Sequence, residues 1–111
     1  MGSFSLVLPA HNEAENIEPV VKHALEVLPG FFDSFEIIVV NDGSRDNTGE
    51  IIDRLASEDQ QVRAIHHKKN RGYGGALTSG FEASTGDHVM FMDSDRQFNI
   101  ADIARLYPFI S

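Results

Sequence analysis

Residues 35–48 read Phe-Glu-Ile-Ile-Val-Val-Asn-Asp-Gly-Ser-Arg-Asp-Asn-Thr. The first six are β-branched and nearly continuously apolar, as a central strand of a parallel sheet should be. The next eight form a dense turn cluster. Beyond it, Ile51, Ile52, Leu55 and Ala56 make the buried stripe of a helix. Strand, turn and helix in that order make a βα unit, and the chain on either side repeats it.

Working back toward the N-terminus, Ile17, Val20, Val21, Ala24, Leu25 and Leu28 fall at i, i+3, i+4, i+7, i+8 and i+11, one apolar face of a helix. Asn16 is its expected N-cap, Pro19 falls in the first turn where no donor is missed, and Pro29-Gly30 stops it. Before it lies a short strand over residues 4–9, which Pro9 is expected to end because it has no N–H to continue a ladder. Working forward, residues 62–66 form a weaker strand. Residues 69–75 (Lys-Asn-Arg-Gly-Tyr-Gly-Gly) read as a glycine-rich loop, and residues 76–84 as a helix. A glycine turn at 85–87 leads into the apolar run from His88, expected to be a buried strand. Asn99 then caps a last helix through Ile100, Ile103, Ala104 and Tyr107, with Asp102 favouring its dipole. Four strands alternate with four helices. The fold class is α/β: a mostly parallel, Rossmann-like sheet with helices on both faces.

The 111 residues amount to a single domain or part of one, with no internal linker or repeat. There is no cysteine, hence no disulfide framework or thiolate metal site. No apolar run approaches the ~20 residues of a membrane span, and no signal peptide is evident. The formal net charge of −8 argues against nucleic acid, whose binding depends on Lys and Arg neutralising phosphates. The cations are nevertheless clustered. Arg63, Lys68, Lys69 and Arg71 lie within nine positions and are joined by His66 and His67, a patch suited to a small anionic ligand.

The chemistry gathers where strands end. Residues 88–97 read His-Val-Met-Phe-Met-Asp-Ser-Asp-Arg-Gln. If the chain stays extended past the strand, Asp93, Asp95 and Gln97 face one side and offer oxygen ligands suited to Mg²⁺ or Mn²⁺. The plain alternative is that the aspartates mark a turn and cap the next helix. Open α/β sheets bind ligands beyond the carboxyl ends of their strands, and three phosphate-binding schemes compete for that place. A dinucleotide fingerprint needs Gly-x-Gly-x-x-Gly after the first strand, where this chain has Pro9-Ala10-His11-Asn12-Glu13. The later Gly72-Tyr73-Gly74-Gly75-Ala76-Leu77 has leucine in place of the third glycine, and no Gly-Lys-Ser/Thr exists for a P-loop. A receiver-type domain would want several acidic residues after the first strand, and Glu13 alone supports that poorly.

Four segments together resemble the family 2 glycosyltransferases, inverting enzymes of the GT-A fold: Leu8-Pro9-Ala10-His11-Asn12-Glu13, Val39 through Thr48, Lys69 through Ala76, and Met92-Asp93-Ser94-Asp95-Arg96-Gln97. Their order, spacing and place at strand ends cover nearly the whole chain. The Gly-Tyr-Gly-Gly-Ala loop and the Asp-x-Asp-x-Gln arrangement are similar to the dolichol-phosphate mannose synthase subgroup, which loads a sugar from a nucleotide onto a polyprenyl phosphate. The resemblance implies that Pro9, Asn12 and Glu13 line a nucleoside pocket and that Asp42 pairs with the base. Lys69 and Arg71 would reach the diphosphate, Arg as a planar fork. Asp93 and Asp95 would hold a divalent ion with Gln97 as a further ligand, and His11, Ser44, Gly72 and Ser94 complete the nucleotide-sugar set. A strand-ending turn is the plain alternative for Asp42, loop filling for His11, and a solvated basic loop for Lys68. Arg96 departs from the family, where small or apolar residues are common.

The resemblance further implies a UDP- or GDP-linked sugar as donor and an acceptor such as a polyprenyl phosphate. Residues 1–111 would be the donor-binding part of a longer enzyme, inactive or weakly active alone. No general base is evident after residue 97. The alternative function is a nucleotide-binding module without catalysis. Two further expectations are a cytoplasmic location, at a membrane face in the longer protein, and homo-oligomerisation through an exposed sheet edge at the His88 strand.

Overall fold

The computed structural model describes residues 3–92. Four strands, β1 (Ser3–Ala10), β2 (Ser34–Asp42), β3 (Val62–His67) and β4 (His88–Phe91), form one sheet in the order β3-β2-β1-β4. Every pairing is parallel. The connections are α1 (Ile17–Val27) with a closing 3₁₀ turn (Leu28–Gly30), α2 (Thr48–Glu58) and α3 (Gly72–Ala83). The expected α/β class therefore holds. The expected last helix and the segment carrying Asp93, Ser94, Asp95 and Gln97 lie outside the described residues.

Side-chain alternation divides the core in two. Phe4, Leu6, Leu8 and Ala10 of β1, with Ile37 and Val39 of β2, pack with Ile17, Val20, Val21 and Ala24 of α1 and with Ile52 and Leu55 of α2. The intervening Val7, Ile38 and Val40 pack with Ala76 of α3. Burial on both faces explains why β2 reads as an unbroken apolar run. Enclosing a Leu, Ile or Val side chain is worth about 1.5–3 kcal/mol, and Leu6, Leu8, Ile37 and Val39 are wholly enclosed. On the second face the approach is closest at Gly80, where any Cβ would fall inside Val7 Cγ1.

Four sequence expectations need correction. Pro9 does not end β1, which runs on to Ala10. Val7 O accepts the Met92 N–H at 3.1 Å, so by alternation Pro9 also turns its backbone edge toward the β4 side. Among the described residues the β1–β4 ladder reaches Val7–Phe91, and on its other side Pro9 stays in register with Val40 of β2. Asn16 does not cap α1 with its side chain. It bonds Glu13 Oε2 at 3.1 Å, while Glu13 O takes the Asn16 and Ile17 N–H groups.

The glycine-rich segment is not wholly loop, because α3 begins at Gly72. Its start is held by one distant and one local acceptor: the Arg71 N–H bonds Asp42 Oδ1 at 2.8 Å, and the Gly72 N–H bonds Asn70 Oδ1 at 2.7 Å. These bonds offset the conformational cost of glycines at a helix start. Finally, β4 is half-exposed rather than buried, with Val89 41% and Phe91 47% exposed. Among the described residues it has a strand partner, β1, on one side only.

Candidate functional site at the carboxyl rim of the sheet

Because all four strands run the same way, the segments that follow them emerge along one rim. The loops after β1, β2 and β3 meet there and bond to one another. His11 donates from Nδ1 to Asp42 O at 2.8 Å. Its Nε2 is thereby left as the acceptor, faced by Asn12 Nδ2 and Asn70 Nδ2, each at 3.3 Å. The Asn12 N–H bonds Ser44 Oγ at 3.0 Å, and Asn12 Oδ1 accepts the Arg45 N–H at 2.8 Å. Glu13 is tied to the start of α2, its N–H bonding Thr48 Oγ1 at 2.9 Å. Asp46 accepts from both the N–H and the hydroxyl of Thr48 and so caps α2.

Three residues here have positive φ: Asn12 (55°), Gly43 (69°) and Gly72 (83°). One lies after each of β1, β2 and β3. At Gly43 the reason is contact between loops, because a Cβ would stand 2.5 Å from Asn70 N and 2.8 Å from Lys69 C. Asn is among the side chains that tolerate this region of backbone space.

Asp42 is the centre of the rim. It closes β2, is 4% exposed, and accepts at Oδ1 from His67 Nδ1 and the Arg71 N–H, both at 2.8 Å. Burial pushes its carboxyl pKa up, but bonds from His67 and the Arg71 and Gly72 backbones outweigh that and hold it below the usual carboxylate range. The carboxylate thus fixes the loop carrying Arg71 and Gly72. Lys69 and Arg71 themselves are exposed at the rim and have no ion pair among the described residues.

The structure thus joins His11, Asn12, Asp42, Ser44, Arg71 and Gly72 in one bonded assembly, with Pro9 just beneath, Glu13 at its flank and Lys69 at its edge. Asp93, Ser94, Asp95 and Gln97 lie outside the described residues. The Met92 N–H is still bonded to Val7, which brings the chain to the rim beside β1. Among the described residues no three His, Asp or Glu side chains cluster as a metal site, and no helix is long and apolar enough to cross a membrane.

Sequence reasoning missed the partners of Asp42 and Asn41. His67 and His66 read only as members of a basic patch, yet the β2–β3 register sets Asn41 opposite His66 and Asp42 opposite His67. Ser79, bonded to His67 Nε2 at 2.8 Å, carried no signal at all. The signal for the histidines was their place at the end of a strand parallel to the one carrying Asn41 and Asp42.

Known proteins share this architecture. A Haloferax volcanii protein named glycosyltransferase AglD is 48% identical over 93 residues, covering 82% of this chain and 15% of the relative. The dolichyl-phosphate beta-glucosyltransferase ALG5C of Trichomonas vaginalis is 36% identical over 109 residues, 92% of this chain and 32% of the relative. This chain spans a third or less of these relatives. Among solved structures, a mannosyltransferase from Pyrobaculum calidifontis in complex with GDP-Man and Mn²⁺ superposes with TM-score 0.78 at 25% identity, over 87% of this chain and 28% of that one. S. aureus TarS in complex with UDP-GlcNAc shares the fold, with TM-score 0.79 at 23% identity over 97% of this chain and 31% of that one. A parallel sheet whose rim loops are laced together as described, and a match of residues 5–111 to the model of glycosyl transferase family 2, lead to one conclusion: the chain belongs to that family.

Proposed function

We propose that this chain is the donor-binding part of an inverting glycosyltransferase, holding a UDP- or GDP-linked sugar at the carboxyl rim for transfer to an acceptor such as a polyprenyl phosphate. The observation that carries the reading is the mutual bonding of the loops after β1, β2 and β3 around the Asp42 carboxylate. A rim fixed before its ligand arrives loses little freedom on binding. In this reading Pro9, His11, Asn12, Glu13, Asp42 and Ser44 shape the nucleoside end. With its side chain 5% exposed, Asp42 acts chiefly by holding its neighbours. Lys69, Arg71 and Gly72 serve the diphosphate, the guanidinium matching phosphate oxygens two at a time. Asp93, Ser94, Asp95 and Gln97 are proposed to follow at the end of β4, with Asp93, Asp95 and Gln97 holding Mg²⁺ or Mn²⁺. Such an ion supplies Lewis-acid stabilisation of the charge that gathers on a departing nucleoside diphosphate.

A lipid phosphate acceptor is already anionic and needs little help from a general base. Relatives named dolichyl-phosphate beta-glucosyltransferase and undecaprenyl-phosphate 4-deoxy-4-formamido-L-arabinose transferase support this acceptor class. We further propose a cytoplasmic setting, with the longer protein at a membrane face, and self-association through the outer edge of β4. A strictly monomeric species by light scattering at high concentration would remove the last proposal.

Calorimetry with UDP- and GDP-sugars, with and without Mn²⁺, tests the main reading. Metal-dependent binding that Asp93→Ala abolishes supports it. Binding indifferent to metal favours a nucleotide-binding module without catalysis. Sugar transfer by the purified 111-residue chain would refute the expectation that this part is inactive alone.

A further inference from the structure

Two consecutive histidines at the end of β3 are bonded in ways that select opposite tautomers of the neutral ring. Asn41 Oδ1 accepts the Ser44 N–H at 3.1 Å, which turns its amide Nδ2 toward His66 Nδ1 at 3.0 Å. His66 Nδ1 must therefore be an acceptor, and the proton sits on Nε2, which donates to Asp53 Oδ1 of α2 at 2.7 Å. His67 is the reverse: Nδ1 faces the Asp42 carboxylate oxygen that also accepts the Arg71 N–H, so Nδ1 carries the proton. In the neutral ring Nε2 is left to accept from Ser79 Oγ of α3. Successive strand residues face opposite sides of a sheet. The end of β2 is thus tied to the helix layer on each side, through Asn41–His66–Asp53 on one and Asp42–His67–Ser79 on the other. Room is kept for the first tie, since a Cβ at Gly49 would stand 2.8 Å from Asn41 Nδ2 and 3.6 Å from His66 Cε1.

We infer that His66 and His67 are positioning residues for nucleoside diphosphate binding, bracing the Asn41–Ser44 turn and the Arg71–Gly72 backbone from both layers through fixed, opposite tautomers. The inference rests on the donor-site reading above. Neither ring needs to touch the ligand. Each keeps a rim group oriented: the Asn41 amide beneath Ser44, and the Asp42 carboxylate beneath Arg71.

The test combines spectroscopy with binding, using UDP and GDP with Mn²⁺ as probes on the 111-residue chain. Nitrogen-15 correlation spectra of the imidazoles should show His66 protonated on Nε2 and His67 on Nδ1, with both ring signals moving when nucleotide is added. His67→Leu should weaken nucleotide binding by about tenfold or more. His67→Asn keeps a donor at the Nδ1 position and should restore affinity to within about threefold of wild type. Ser79→Ala, a mild change on a helix, should weaken binding by roughly two- to fivefold. If His67→Leu does not fold, the Asn and Ala variants decide. Wild-type affinity in a folded His67→Leu or in Ser79→Ala, or identical tautomers for the two rings, overturns this inference and leaves the donor reading standing. Failure of the wild-type chain to bind either nucleotide overturns both.

Discussion

Each end of the sheet holds an acidic side chain wrapped in hydrogen bonds, and the two are built for different purposes. At the amino end, Glu36 accepts from Ser5 Oγ and the Thr85 N–H at 2.6 Å, from the Thr85 hydroxyl at 3.0 Å and from Arg63 Nη1 at 2.7 Å. Arg63 goes on to Ala83 O, and Ser5 Oγ takes the Gly86 N–H, so the cluster clips the α3–β4 connection onto β1 and β2. At the carboxyl end Asp42 draws together loops that carry exposed cations. All positive-φ residues among the described ones fall at that end. Gly43 and Gly72 adopt this backbone without strain, and Asn12 is held in it by its bonds to Ser44 and Arg45. The amino-end cluster turns its groups on one another and is a fastening, while the carboxyl end presents groups outward.

The comparison is most sharply tested at Gly43. With φ at +69° and loop backbone within 2.5 Å of a Cβ, Gly43→Ala should cost about 2–4 kcal/mol in urea unfolding and abolish nucleotide binding. A variant as stable as wild type would deny that the loops are in contact. At the other end, Glu36→Ala should cost on the order of 2–3 kcal/mol by the same measurement and leave nucleotide affinity within about twofold. A large loss of affinity would erase the division of labour.

The same carboxylate sets an acid limit. Burial raises the Glu36 pKa, but the bonds from Ser5, Thr85 and Arg63 prevail and lower it to about 2 from 4.5. Its stabilisation is therefore fully present above pH 4.5 and is lost as the pH falls toward 2. The wild type should lose stability over that window, and Glu36→Gln should show a flatter profile in unfolding curves taken at successive pH values. Asp42→Asn should cost only about 1–2 kcal/mol in stability while weakening nucleotide binding more than tenfold by calorimetry. Lys68→Ala, on a solvated surface, should change stability by less than about 0.5 kcal/mol and binding by less than twofold.

Much of this fold can be read from local pattern. The Ile37–Val40 run, the stripe from Ile17 to Ala24 and the turn after Val40 each announce their element because burial period and turn chemistry act over a few residues. The reading fails where the cause is distant. The start of α3 is set by Asp42, thirty residues earlier, and the passage of β1 through Pro9 depends on which backbone edge Pro9 turns away from β2. The exposure of β4 depends on its place in the strand order. At the site, the resemblance of segments lying at strand ends names Asp42 and Asn12, whereas the roles of His66 and His67 emerge only from a register between strands. Pattern shows which residues reach the rim, and pairing shows which of them hold the others still.

The absence of a side chain at Gly80 bears on how freely this chain can vary. Val7 beneath it is branched at Cβ and enclosed on every side, so it has no alternative rotamer to swing into. A library randomised at position 80 should return glycine alone among folded clones, while neighbouring outward positions such as Thr78 and Glu82 should accept nearly any polar residue. Where a helix rides this low on a strand, mutational drift is channelled into the helix's outer surface.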